Sequence, residues 1–518
     1  MRRRVSLLLI ALVVGACGGS AVGAADDSSV RIAMDAPTEL DPARTGDAQS
    51  SAVIAQLFET LTTFDASLEL RPALAESWRI EDEGRRVTFQ LRPDLAFSDG
   101  SPLRASDVVR SWLRVIDPGS PSPLLALLAD VRGAVAYAEG EGTTDDVGLR
   151  ADDGTRQVTV DLDRAAADFP AIAASPTLAV VPTTIGDAGA LTAGRDFVAS
   201  GGYRLVDEGA SDMTLEANEH YWAGTPAIRT ITLLTGLAGA SPVETFESGD
   251  VDYVGIGSPD AAWIAYDRTL GPRLLTVPAM STDFYGFDTT RPPFDDVRVR
   301  QAFGAAVDWR RIARLAVEDP ASVANSMVPA GIPDRTDRDM LPTHDPDAAR
   351  ALLAEAGYRG GRGFPRVTLV TGGSPYDEAV VAELERELGI NLDQETMDFD
   401  TYFDRLDTEP PQLWFLSWVA DYPSRNDFLG VLLGSRSANN YGRWSSPEFD
   451  AAIAEAGSTT DEAAVRAAFD RAEAVVQRDV PVIPMSYGTG WALAKEGLIG
   501  TGQNGLGSMR FAGLAWAP

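Results

Sequence analysis

The stretch from Leu68 to Pro118, LELRPALAESWRIEDEGRRVTFQLRPDLAFSDGSPLRASDVVRSWLRVIDP, constrains the fold more than any other part of the chain. Val87, Phe89 and Leu91 alternate with polar residues, the period of a half-buried strand. Ser98-Asp99-Gly100 follows as a turn, and Ser106 or Asp107 stands where a helix cap belongs. In that helix Val108, Val109, Trp112, Leu113 and Ile116 give one apolar face. A strand, a turn and an amphipathic helix in succession predict a layer that mixes sheet and helix.

LRPALAESW…VTFQLRPDLAFSDGSPLRASDV also resembles the signature of the peptide/nickel-type solute-binding proteins of bacterial ABC importers, the oligopeptide-binding family. Phe287 to Asp308, FDTTRPPFDDVRVRQAFGAAVD, is similar to that family's NTTKPPFDDVRVRQALAYAID, with Asp288 where asparagine is usual. Ser200-Gly201-Gly202-Tyr203-Arg204 and Glu216 to Trp222 resemble its GTGPY…RNPNYW pair. The likeness covers nearly everything after about Val30. It implies an α/β fold of the periplasmic-binding-protein type II-like kind (cluster C), with two lobes around a ligand cleft and an extra inserted domain. The implied organisation begins with a lipoprotein signal peptide at 1–16 and a flexible tether at 17–29. A first domain is split into 30–52, 177–278 and 482–518, with an inserted domain at 53–176 and a second lobe at 279–481.

Composition narrows the function. At 518 residues the chain is too long for one ordinary core. Its 76 acidic and 44 basic residues leave a formal charge of −32, which repels phosphate backbones and argues against nucleic acid as a partner. The two histidines, His220 and His344, lack the HxxxH or HxH spacing of a metal site. No GxSxG elbow or P-loop is present. Gly500 to Gly505 fits GxGxxG, but no amphipathic helix follows, and it reads as a C-terminal loop. The expectation is a binding protein without catalytic residues, metal or cofactor.

The N-terminus reads as a targeting segment. Arg2, Arg3 and Arg4 precede an apolar run, Val5 to Val14, that is too short to span a bilayer comfortably. Val14-Gly15-Ala16-Cys17 resembles a bacterial lipobox, so Cys17, the chain's single cysteine, is expected to carry lipid. The expected location is extracytoplasmic, on the outer face of the cell membrane or in the periplasm.

Along the chain, Val30 to Met34 reads as a strand, Ser50 to Leu61 as a helix and Glu139 to Thr155 as a polar loop. Asp295 or Asp296 caps a helix that turns Val299, Ala302, Phe303 and Ala306 inward. Asp345-Pro346 and Ser446-Pro447 open helices that stop at Gly357 and Gly457. Leu413 to Trp418 is a continuous apolar run, read as a buried strand, and Val480 to Tyr487 reads as a strand bent by two prolines.

That buried strand delivers Asp421 and Tyr422 onto a loop, where function often sits. An aspartate in a partly desolvated cleft binds an ammonium, and Trp418 and Tyr422 offer apolar or cation–π faces. SWVADYP here resembles the family's GWCADYN. In that family the aspartate matching Asp421 holds a peptide's α-amino group, and the tryptophan matching Trp418 walls the pocket. The arginine that some members carry three residues before the tryptophan is Phe415 in this chain, so recognition of a ligand carboxylate lacks that group. Asn440 and Tyr441 resemble the family's N…YSNPEFD segment and are expected to border the cleft. Phe287, near the inferred hinge strand, completes the candidate ligand-binding set.

The sequence therefore reads as the monomeric substrate-binding receptor of an ABC importer, which captures a small solute, a peptide first, by lobe closure. It would deliver that solute to a membrane permease served by ATPase subunits. Oligosaccharides, metal chelates and other small solutes remain open, as does an envelope assembly or signalling role without transport.

Overall fold

Ten strands rich in branched and aromatic residues pair into one mixed sheet. In spatial order they are Leu392–Thr396, Val367–Thr371, Leu413–Val419, Leu274–Phe287, Val482–Ala494, Tyr253–Ile256, Ser29–Ala33, Thr230–Leu234, Asp212–Ala217 and Tyr203–Glu208. The computed structural model describes residues 28–518 apart from 186–190, 192, 238, 317–322, 333, 337 and 460, with Phe399 and Asp400 described by backbone alone. The expected signal peptide, and Cys17 with it, lies outside the described residues.

Two strands outrun the others, Leu274–Phe287 with 14 residues and Val482–Ala494 with 13. They pair in two stretches, Leu274–Pro278 against Leu493–Thr489 and Thr282–Gly286 against Tyr487–Val482, with a register shift between Pro278 and Thr282. Beyond the first stretch the sheet continues through Tyr253–Ile256, paired to Ala494–Trp491. Beside the second it continues through Leu413–Val419, paired to Phe287–Ser281. The sheet thus has two halves joined at a crease. There Met280 leaves the ladder: its N–H donates to the Gly505 carbonyl at 2.6 Å, and its carbonyl accepts from Ala420 N–H at 2.8 Å. The bent strand expected from Val480 to Tyr487 is the first half of a longer one.

A separate four-stranded sheet consists of Ala75–Glu81, Arg86–Leu91, Gln157–Asp161 and Leu149–Asp152. The Ala105–Val115 helix packs against it, burying Val108, Trp112 and Val115, while Ile116 is buried just past the helix end. Trp112 meets Phe89 and Phe169 at centroid distances of 6.4 and 5.9 Å, and its indole N–H donates to the Leu178 carbonyl. Each such side chain contributes about 1.5–3 kcal/mol by leaving water. Asp107 is not the cap residue of this helix. It sits at the third helical position, and its carboxylate accepts from Arg104 N–H at 2.9 Å, in the manner of half a capping box. The loop expected from Glu139 to Thr155 also needs correction, since it contains the edge strand Leu149–Asp152. Only Leu149 of that strand is buried, so no alternation marks it in the sequence.

Helix caps elsewhere follow side-chain chemistry. Asp296, Asp345 and Ser446 accept from the N–H groups of Arg298, Ala348 and Phe449. Gly357 takes φ of +100° past its helix end, whereas Gly457 is the last residue of its helix and Ser458 the cap. Gly201 permits a close approach, because a Cβ there would lie 2.4 Å from the Gln56 carbonyl oxygen. Gly201→Ala is expected to lose about 1–3 kcal/mol through overpacking, read as a lower melting temperature of the unliganded protein.

Candidate functional site

Leu413, Trp414, Phe415 and Leu416 are buried, as befits a strand flanked by neighbours on both sides. The strand ends beside Met280, and the bond from Ala420 to Met280 fixes where the chain turns. Asp421 is thereby presented to a cavity with about 1170 Å³ of empty space, part of it open to solvent.

Across from it, the Ala48–Leu57 helix lines the cavity with Ala48, Ser51, Ala52 and Ala55. These are small residues at helical spacing, so one face of the helix leaves room where larger side chains would fill it. Ser175, Pro176 and Thr177 form another wall, and the loop around Asn504, Leu506 and Ser508 a third. Asn504 shapes that loop by accepting from the N–H groups of Leu506 and Ser508, both at 3.1 Å. Phe58, Phe64, Leu124 and Val419 add apolar surface.

The charged residues of the lining are Asp47, Asp421 and Arg510. Asp47 caps the Ala48–Leu57 helix, its carboxylate accepting from Ser50 N–H at 2.7 Å and Thr38 hydroxyl at 2.8 Å. Burial opposes its charge, but those hydrogen bonds hold the carboxyl below its ordinary value. Asp421 differs. Its carboxylate has no hydrogen-bond or ion-pair partner among the described residues, and burial pushes it up to about 6. Behind it stands Asp427, fully buried, whose Oδ2 accepts from Trp418 Nε1 at 2.9 Å and from Asp421 N–H at 3.3 Å. Oδ1 of Asp427 has no partner among the described residues. Burial first, and the neighbouring Asp421 second, raise Asp427 well above the carboxylate range.

Of the sequence candidates, Asp421 lines the cavity and Trp418 braces it through Asp427. Tyr422 points elsewhere. It is buried within the core built by residues 43–180, where its hydroxyl accepts from Asn426 Nδ2 at 2.9 Å. Asn440, Tyr441 and Phe287 do not line this cavity. Asn440 Nδ2 donates to the carbonyls of Leu433, Gly434 and Trp444, and its Oδ1 accepts from Trp444 N–H, which spends the side chain on a turn. Tyr441 packs edge-on against Trp414 at 6.1 Å. Phe287 sits among Phe294 and Phe303 at 4.8 and 5.9 Å, on the opposite face of the sheet. Sequence reasoning missed the helix face at Ala48–Ala55, the loop near Ser175, and Arg510. Only the first left a trace in the sequence, small residues at positions i, i+3, i+4 and i+7.

Among the described residues no helix is long and apolar enough to cross a membrane. The model of the family described as bacterial extracellular solute-binding proteins, family 5 Middle, matches residues 69–440. The chain is 30% identical over 467 residues to the probable deoxycholate-binding periplasmic protein YgiS of Escherichia coli, covering 87% of this chain and 86% of that protein. It is 28% identical over 485 residues to the periplasmic murein peptide-binding protein MppA of the same organism, covering 91% and 89%. The solved structure of Escherichia coli MppA matches with a TM-score of 0.80 at 25% identity, over 95% of this chain and 99% of that one. With a family model spanning most of its length and a shared fold from end to end, this chain belongs to the bacterial extracellular solute-binding proteins of family 5.

Proposed function

We propose that this protein is the solute receptor of an ABC importer, and that its solute is a short peptide held by its free amino end at Asp421. One observation carries the choice of ligand: a half-buried carboxylate facing a cavity without any cation of the protein beside it. A charge so placed is poorly solvated and unpaired, and an ammonium supplies the charge-assisted hydrogen bonds it lacks. Family members known as murein-peptide and oligopeptide receptors support the same reading.

A peptide spanning the cavity touches the Ala48–Leu57 helix on one side and the end of the Leu413–Val419 strand on the other, and stabilises the arrangement in which the walls meet it. The loaded receptor then hands its solute to a permease, and ATP hydrolysis belongs to partner subunits. The protein itself makes and breaks no bond. It works as a monomer outside the cytoplasm, tethered by lipid on Cys17, with the domain limits read from the sequence.

A second reading has its own support. The cavity is lined by Phe58, Phe64, Leu124 and the half-exposed Val419, and the relative at 30% identity is named for deoxycholate. A rigid apolar acid would suit those walls. Thermal unfolding of the protein starting just after Cys17, against short peptides, oligosaccharides, deoxycholate and nickel chelates, separates the readings. A ligand at about 100 times its dissociation constant adds roughly 2.7 kcal/mol and raises the melting temperature. Stabilisation by peptides, lost on N-acetylation, is the expected result. Stabilisation by deoxycholate alone would replace the peptide with the steroid acid, and stabilisation by sugars alone would replace both.

A further inference from the structure

The strand that carries the cleft offers no cation to a ligand's acid end. Phe415 is buried on the far face, 5.1 Å from the Tyr285 ring and 6.3 Å from Tyr376. Among the described residues that line the cavity, the one basic side chain is Arg510, contributed by the C-terminal segment.

Arg510 is held rigidly. Nη1 donates to the Ala55 carbonyl at 3.0 Å, and Nη2 donates to Glu59 Oε1 at 2.8 Å and Thr63 Oγ1 at 2.7 Å. Glu59 is fully occupied, since it also accepts from Thr60 N–H, the Tyr221 hydroxyl and the Trp222 indole. Arg510 is thus ion-paired with Glu59, and a ligand can use only the N–H groups that this pairing leaves over. A guanidinium has five N–H groups in a fixed fork, and Nε–H here has no partner among the described residues. The side chain keeps 30% of its surface exposed. The carbonyl of Ala55 belongs to the last turn of the Ala48–Leu57 helix, the negative end of its dipole, so the cation is favoured there without any ligand.

We propose that Arg510 is the carboxylate pole of the binding site, taking the role that Phe415 leaves unfilled. The inference rests on the receptor reading above and adds the second contact: Asp421 on one wall takes an ammonium, Arg510 on another takes a carboxylate. The ligand class it selects is a zwitterion short enough to reach between them, a short peptide with both ends free.

Isothermal titration of the unmodified protein with a peptide acid and its C-terminal amide tests this without any substitution. The amide is expected to bind about tenfold or more weakly, as for a lost charge-assisted contact. Arg510→Gln should bring acid and amide to the same affinity, with its melting temperature read alongside because Glu59 loses its cation, while Arg510→Lys keeps the ion pair and recovers part of the difference. Equal affinity for acid and amide in the unmodified protein overturns the carboxylate pole and leaves the peptide receptor standing. For a steroid acid, the acid and its neutral methyl ester give the same comparison, and equal binding of that pair overturns the pole as well. Binding of neither pair overturns the peptide and steroid readings of the ligand, and the inference with them.

Discussion

Arg425→Ala is expected to destabilise the protein by about 3–5 kcal/mol, the effect of stripping one partner from a buried ion pair. Arg425 keeps 1% of its side-chain surface and Glu473 keeps 3%. The guanidinium donates to Glu473 Oε2, to Asp470 Oδ1 at 2.8 Å and to the Asp334 carbonyl at 3.0 Å, and it lies 5.2 Å from the Phe469 ring centroid. Without it, Glu473 retains one described hydrogen bond, from Ser326 Oγ at 3.1 Å. Burial already raises the Glu473 carboxyl, and Arg425 is the foremost influence pulling it back, so the variant drives it further toward the protonated form. Urea unfolding at pH 7 reads the loss, and a change below 1 kcal/mol would refute the assignment. Arg425→Met combined with Glu473→Leu should recover most of it, since no lone charge is then left inside. Arg425 also pins the loop that carries Asp421, so the single variant should bind peptide more weakly even where it remains folded.

Acidification through about pH 6 is expected to weaken binding of a peptide with a free amino end, because Asp421 takes up a proton and ceases to attract the ammonium. Stability of the empty protein should move the opposite way. The folded carboxyl titrates near 6 against an ordinary 3.8, so between those values the native state holds a proton that the unfolded chain has released. Lowering the pH across that window therefore favours the folded state. Asp427, raised by burial and by Asp421 itself, and Asp168, raised chiefly by burial, act in the same sense. Asp421→Asn isolates the contribution of Asp421. Its affinity should drop by about 2–5 kcal/mol, roughly thirtyfold or more, and its residual binding should lose the step near pH 6. Titration calorimetry from pH 5 to 8, with an N-acetylated peptide as the control, checks both. A step that survives in Asp421→Asn would assign the titration to another group.

The sequence was most legible where one physical signal acts alone. The helix opened by Asp345-Pro346 and ended at Gly357 is written in cap chemistry, and the strand at Val87–Leu91 is written in alternation. Both need only local information. The place where strand and loop meet was legible too, and there Asp421 lines the cavity while Trp418 bonds Asp427. The sequence was opaque where a residue's role depends on which way its strand faces. Phe287 pairs with Leu413 and Phe415 with Tyr285, and nothing local reveals that both phenylalanines point into the same core. Asn440 carried the chemistry of a ligand contact and spends it on its own turn. Arg510 lies about 450 residues from its partners in the Ala48–Leu57 helix and beyond, a proximity that no window along the chain contains.

The crease in the ten-stranded sheet sets the mechanics of the molecule. Sliding one half past the other would break the ladder bonds between the two long strands, whereas bending at residues 279–281 breaks none of those, because that pairing is already interrupted there. That one pairing is scored across like a card along a line. Met280, on the score, is bonded to Gly505 on one side and to Ala420 on the other, and both partners belong to segments that wall the cavity. Two of the walls of that space are therefore hydrogen-bonded to the fold line itself.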